Sequence, residues 1–433
     1  MKAVAHSQSE LGENPTGCPA VKQWAMGMPT WSVKSLNPGE SISQHARIAD
    51  AANRVVPNRS GETMTRSRRI ANLSLVAAAA FAMLVKGPAA QARAKHPAPG
   101  GLWVDGFNYI LEYQGRALVR GGEPHPRLKF GNPDFSNAPS IAFDQKRDLW
   151  FVYYSDLSAL PEIVEISRGE VAALASGGRI RAKVVLVQIG YTTTGLSGPY
   201  SIAFDRSGDL WTSVYGKNGL MEFLPDQIAA SGTPTPSIFI TAPNFNPRVI
   251  RFDDSENLWV TQPVSTQAPA PAQVWRFTPS ERTASGAPDP SLVVDLPASF
   301  APADIAFDSS GNLWTAGRTT DASVLLMFSA ADISGTGEVA PAPSVTITSA
   351  AFGVPSIYGG ICLSGLDFDS AGGLWLSVQA NGVECVGNPQ IVGFKPDELT
   401  SSGDLAPAVV IGQRSKRKRL QLPGAIRFGP KVE

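Results

Sequence analysis

The 433-residue sequence is short of the residues on which catalysis and metal binding most often depend, with four histidines and three cysteines. So few thiols exclude a disulfide-dense scaffold. Gly-x-Ser-x-Gly, His-Glu-x-x-His and a phosphate-binding loop are all missing, which removes the hydrolase, zinc-protease and nucleotidase readings that rest on them. Charge is scarce and balanced: charged residues make up 17%, with 37 basic against 37 acidic side chains. Bulk charge therefore offers nothing to a polyanion, and nucleic acid is not an expected partner. No apolar run reaches the roughly 20 residues of a stable membrane span. What is abundant is Gly (41) and Pro (35), without collagen-like period, in a chain that is 43% hydrophobic. That combination favours many turns around a sizeable core.

Residues 1–63 are polar, rich in Ser, Pro and Asn, and lack periodicity; they are expected to lie outside the fold. Met64 opens a different pattern. Arg66, Arg68 and Arg69 are followed by an apolar stretch from Ile70 to Val85, then by Ala90-Gln91-Ala92. A basic end, a short apolar helix and a small-x-small site make a secretory signal over residues 64–92. Residues 93–433 are then the mature domain, expected to be secreted or periplasmic, with translation expected to start at Met64.

One ten-residue pattern recurs without gaps at Ile141–Trp150, Ile202–Trp211, Ile250–Trp259, Ile305–Trp314 and Leu366–Trp375. Its tryptophans are 61, 48, 55 and 61 residues apart, a spacing typical of propeller blades. The aliphatic residue and Phe stand two apart and share one strand face. Asp-x-x-Gly is turn chemistry, and Leu-Trp opens an antiparallel return strand. Arg147 and Glu256 replace the turn glycine, which predicts differently shaped hairpins there. Each copy continues into a third strand, such as Gly219–Leu224, an acidic Ser/Gly turn, such as Asp226–Gly232, and a fourth strand after Pro. Four antiparallel strands make one blade. Gly101-Leu102-Trp103 begins a copy that lacks its first strand, and Pro423–Phe428 supplies that strand from the other end of the chain. The expected fold is an all-β, six-bladed β-propeller closed by the C-terminal strand pairing in the first blade. Trp103, Trp150, Trp211, Trp259, Trp314 and Trp375 are read as packing between blades, each able to bury roughly 150–250 Å².

The Ile-x-Phe-Asp-x-x-Gly-x-Leu-Trp pattern resembles the NHL-repeat propellers. It also resembles the wider six-bladed superfamily of gluconolactonase/senescence-marker-like and virginiamycin B lyase-like proteins, over about residues 101–428. That resemblance implies either a metal-dependent lactonase, a lyase, or a binding domain without catalysis. In the lactonase relatives, acidic and amide side chains entering the innermost strands converge on a metal at the channel mouth, as a hard cation requires. The matching positions here are Pro139, Tyr200, Arg248, Ala303, Ser364 and Gly424, followed by Ser140, Ser201, Val249, Asp304, Gly365 and Ala425. Asp304 is the one carboxylate among them, and Arg248 opposes a cation. The lyase relatives use a histidine with a carboxylate; the mature part has His96 in the linker and His125 in an outer turn. No metal, cofactor or catalytic residue is therefore assigned.

Tyr200, Arg248 and Asp304, with Asn246 beside them, read instead as a polar pocket suited to an anionic or sugar-like ligand. Cys362 and Cys385 fall on one face of the last blade and are expected to form a disulfide. Arg414, Lys416, Arg417, Lys418 and Arg419 form a basic run, read as a solvated loop. The function expected is that of a monomeric, exported, non-catalytic propeller with a face for a small molecule, glycan or protein. The alternatives are a lactonase-like or lyase-like enzyme with an atypical channel site, or an envelope protein-interaction scaffold.

Overall fold

A computed structural model describes residues 100–431, apart from 107–108, 132–134, 156–160, 176–180, 191–197, 216–217, 264–270, 356–359, 381–384, 413–419 and 421. The proposed signal, the N-terminal extension, His96 and the basic run Arg414–Arg419 lie outside the described residues. Six antiparallel sheets of four principal strands follow one another along the chain. In blade 3, for example, Gly198–Phe204, Leu210–Tyr215, Gly219–Phe223 and Ile238–Thr241 run from the channel outward. Blade 1 takes its innermost strand from the C-terminus: Ile426–Gly429 pairs with Gly101–Asp105, Leu102 opposite Phe428 and Val104 opposite Ile426. Pairing the two ends of the chain in one sheet seals the ring and removes an open edge.

The repeated motif folds the same way in each of its five copies. The motif Asp accepts the backbone N–H of the residue four positions on through Oδ1 and the indole N–H of the motif Trp through Oδ2. In blade 4 these bonds are Asn257 N to Asp253 at 2.9 Å and Trp259 Nε1 to Asp253 at 2.8 Å. The same pair recurs at Asp144, Asp205, Asp308 and Asp369. This double bond is why Asp and Trp stand six residues apart. In blade 1, where Gly429 replaces the Asp, the Trp103 indole donates to the Pro430 carbonyl instead, at 3.3 Å. The hairpins carrying Arg147 and Glu256 are not differently shaped. Both residues adopt the left-handed conformation, φ 64° and 63°, like Gly208 at 88° and Gly311 at 78°. Each N–H bonds the motif Asp carbonyl, at 2.9 and 3.0 Å. Two aspartate-anchored bonds at the turn hold the loop shape at a non-glycine cost of about 1 kcal/mol.

The motif tryptophans are all at most 3% exposed. Five of them meet the motif-position Phe of the next blade: Trp103–Phe143, Trp150–Phe204, Trp259–Phe307, Trp314–Phe368 and Trp375–Phe428, with centroids 5.3–6.1 Å apart and tilted or edge-on rings. At the blade 3–4 seam, the Arg282 guanidinium lies 4.9 Å from both Trp211 and Phe252.

A second set of bonds ties blades together at the rim. In every blade but the second, the turn between the third and fourth strands reaches back to the outer strand of the blade before it. Gly232 donates to Val185 O at 3.0 Å and accepts from Val187 N at 2.9 Å, while Ser231 Oγ accepts from Val185 N. Gly286 and Ser285 repeat this on Phe239 and Thr241. Gly337–Val339 and Gly403–Asp404 run parallel to Leu292–Asp295 and Val345–Thr348, and Gly122 bridges Ile411. At the blade 1–2 junction a helix, Arg168–Ala175, takes this place, with Val171 and Leu174 packed in one core with Leu128 and Phe130. No helix among the described residues is long and apolar enough to cross a membrane.

Candidate functional site

The residue just before the motif aliphatic forms an inner belt of bonds from blade to blade. Ser140 Oγ accepts from Ile202 N at 3.0 Å, and Ser201 Oγ accepts from Ile250 N at 3.1 Å. Asp304 occupies this position in blade 5, and it is 3% exposed. Its Oδ2 accepts from Leu366 N of blade 6 at 3.0 Å, and its Oδ1 from Ile305 N at 2.8 Å. Arg251 Nη2 reaches both oxygens, at 2.6 and 2.9 Å. Burial raises the Asp304 carboxyl above its usual range, opposed by Arg251 and the two N–H groups. All of these contacts are internal, so the one entry-position carboxylate is committed to the ring itself. Asp367 and Arg427 extend the charged belt on the innermost strands. Asp367 accepts Phe428 N of the closing strand at 2.6 Å, and Arg427 donates to Leu366 O at 3.2 Å. Enclosure by the ring pushes Asp367 up to about 7, against the pull of the Phe428 N–H and Arg251.

Tyr200 and Arg248 do come together. They enter the innermost strands of blades 3 and 4, and the guanidinium carbon stands 5.0 Å from the Tyr200 ring centroid. The Arg248 backbone is pinned by Arg248 N to Thr261 O at 3.0 Å and by the Ser213 hydroxyl on Arg248 O at 2.5 Å. Tyr154, which sequence reasoning passed over, joins them from the end of the second strand of blade 2. Its hydroxyl donates to Pro199 O at 3.2 Å. Burial, and then Tyr200, push that phenol up to about 12, with Arg248 pulling the other way. Asn246 is fixed through its backbone N–H on Gln262 Oε1 at 2.8 Å. Its half-exposed side chain makes no hydrogen bond among the described residues. The mouth thus carries an arginine stacked on one tyrosine, a neutral tyrosine and an amide.

Cys362 and Cys385 form a disulfide with Cα atoms 5.4 Å apart, buried beside Ala380 at the same mouth. His125 is exposed in the outer turn of blade 1. Two groups of three carboxylates within 4.8 Å occur among the described residues, Asp144/Asp148/Glu165 and Asp205/Asp209/Glu222. Both sit at the motif turns, at the far ends of the strands from the Tyr200–Arg248 mouth. The signal for them was an Asp four residues after the motif Asp together with a Glu on the third strand.

No sequence-family model and no curated protein matches the chain. Solved structures with a similar fold include a protein of unknown function from Bacteroides caccae, at 14% identity and TM-score 0.44, covering 76% of this chain and 98% of that one. A gluconolactonase from Xanthomonas campestris is 14% identical at TM-score 0.40, covering 73% and 86%. A catalytically inactive virginiamycin B lyase from Staphylococcus aureus, solved with quinupristin, is 14% identical at TM-score 0.35, covering 76% and 87%. Such identities concern the fold alone. On its own strand order and closure, the chain is a six-bladed β-propeller, the architecture to which the gluconolactonase-like and virginiamycin B lyase-like propellers also belong.

Proposed function

We propose that the protein is an exported, non-catalytic propeller that binds an anionic or sugar-like ligand at the channel mouth, through Arg248, Tyr200 and Asn246. The observation that carries this reading is the Arg248 guanidinium held over the Tyr200 ring. A planar guanidinium set over an aromatic ring is the group best suited to recognise a carboxylate, sulfate or sugar hydroxyl. Tyr154 stays a neutral phenol at physiological pH and lines the same mouth. Asp304, spent on Arg251 and backbone N–H groups, supports the ring beneath the ligand rather than touching it. That commitment also counts against a lactonase-like metal centre, which needs converging carboxylate oxygens. The buried disulfide is compatible with an oxidising compartment.

The test is calorimetric titration of the purified protein with glucuronate, N-acetylneuraminate and a sulfated disaccharide, each beside its neutral counterpart. Acidic sugars are expected to bind at least tenfold more tightly, and Arg248→Ala is expected to lose about 10–100-fold, as for a hydrogen bond to a charged group. Hydrolysis of a lactone by the wild-type protein, lost on adding EDTA, would overturn the reading in favour of an enzyme.

A further inference from the structure

Each blade has one register position where the third strand faces the motif tryptophan. Glu112 stands opposite Trp103, Glu165 opposite Trp150 and Glu222 opposite Trp211. A second position follows from the first: the residue entering the fourth strand donates its N–H to the carbonyl of that glutamate. It is Arg127 in blade 1, Lys183 in blade 2 and Ser237 in blade 3. Blades 1 and 2 therefore set a basic residue beside their glutamate, and blade 3 does not.

In blade 2 the consequence is visible. Lys183 Nζ sits 2.5 Å from Glu165 and 3.2 Å from Asp148, so an ammonium occupies the carboxylate group. In blade 3 Asp205, Asp209 and Glu222 are gathered just as closely, within 4.8 Å. Ser237 turns its hydroxyl away, to Gln227 Oε1 at 2.9 Å. Glu222 is 8% exposed, and its carboxylate makes no hydrogen bond or ion pair among the described residues. Arg282 of blade 4 is the nearby positive charge, but it is held over Trp211 with Nη2 on Glu256 O at 2.7 Å and pairs with none of the three acids. Asp205 already receives Ser207 N and Asp209 N on Oδ1 and the Trp211 indole on Oδ2, which fixes its orientation and leaves a lone pair on Oδ2.

We propose that Asp205, Asp209 and Glu222 form a binding site for a hard divalent cation, Ca²⁺ first among them, which takes the place that the Lys183 ammonium fills in blade 2. Carboxylate oxygens alone select hard cations, and Ca²⁺ accepts irregular oxygen geometry more readily than Mg²⁺. Burial and the two aspartates push Glu222 up to about 7 in the absence of an ion. A cation at the site reverses that preference. The site lies in the wall of one blade, apart from the Tyr200–Arg248 mouth, so the ion would brace the blade rather than act on a ligand.

Full-length protein stripped with chelator is titrated by calorimetry with Ca²⁺, and separately with Mg²⁺ and Mn²⁺, and its melting temperature is read alongside. Uptake of one ion per chain with a melting rise of several degrees is expected. Glu222→Gln is expected to weaken binding at least tenfold. Ser237→Lys installs the blade 2 arrangement while keeping all three acids. It is expected to raise the metal-free melting temperature and abolish uptake, and it decides the question if Glu222→Gln does not fold. Absence of uptake of all three ions at millimolar concentration overturns the proposal, as does undiminished uptake by Ser237→Lys.

Discussion

Replacing Asp304 by alanine removes the acceptor for the Arg251 guanidinium and for Leu366 N–H in a single step. The Arg251 side chain is 14% exposed, so its charge is left in a largely dry position. Orphaning one partner of a buried pair costs about 3–5 kcal/mol. The lost bond to Leu366 N–H adds about 1–3 kcal/mol where water cannot replace it. The two are coupled, so the expected loss is about 4 kcal/mol, a large part of the roughly 5–15 kcal/mol that holds a domain together. Asp304→Asn keeps an acceptor for Leu366 N–H and should lose about half as much. The double variant Arg251→Met/Asp304→Leu removes both charges and should recover most of the loss. Equilibrium urea unfolding, followed by tryptophan fluorescence, gives all three values. A loss below about 1 kcal/mol for Asp304→Ala would show that the pair is hydrated and the inner belt is not what joins blades 4, 5 and 6.

Two further outcomes are expected. Asp367 titrates near 7 in the folded ring, against an ordinary carboxylate value of 3.8. Its folded value is raised, so its stabilising effect is complete below about pH 4 and is lost as pH climbs toward 7, when the folded ring must surrender the proton the unfolded chain has already lost. Asp367→Asn should flatten that decline, about 4 kcal/mol for a carboxyl raised from 3.8 to about 7, in unfolding midpoints measured from pH 4 to 8. The Cys362–Cys385 bond closes a separation of 23 residues. Replacing both by serine should lower stability by about 3 kcal/mol and make the melting temperature indifferent to reductant.

The blade count and the closure were legible because they are written in local pattern. Ile, Phe, Asp and Trp at fixed offsets are dictated by one hairpin, and the fragment at residues 423–428 matched the piece missing at Gly101. The turn at Arg147 and Glu256 was misread because glycine was taken as the cause of the left-handed φ, whereas the aspartate bonds impose it. Contacts between blades were not legible. Asp304 was read with Arg248, yet its partner is Arg251, three residues on, because the twist of adjacent strands decides which side chain crosses the seam. The charge that Glu222 lacks shows only when the registers of two blades are laid side by side, since Lys183 and Ser237 fall after connectors of different length. Tyr154 is not legible for a similar reason: it belongs to the end of a second strand and not to an entry into a first one.

The back-reaching turns at the rim bear on how the protein behaves at high concentration. An outer strand with idle N–H and C=O groups invites a neighbouring molecule to add a strand of its own. Here Gly232, Gly286, Gly337, Gly403 and Gly122 occupy those groups on the blade before their own, so each blade shields its neighbour from intermolecular sheet growth. Blade 1 relies on the side chains of the Arg168–Ala175 helix for the same protection, and Leu128–Phe130 is thereby, among the described residues, a strand that a loosened helix would uncover as a template for self-association.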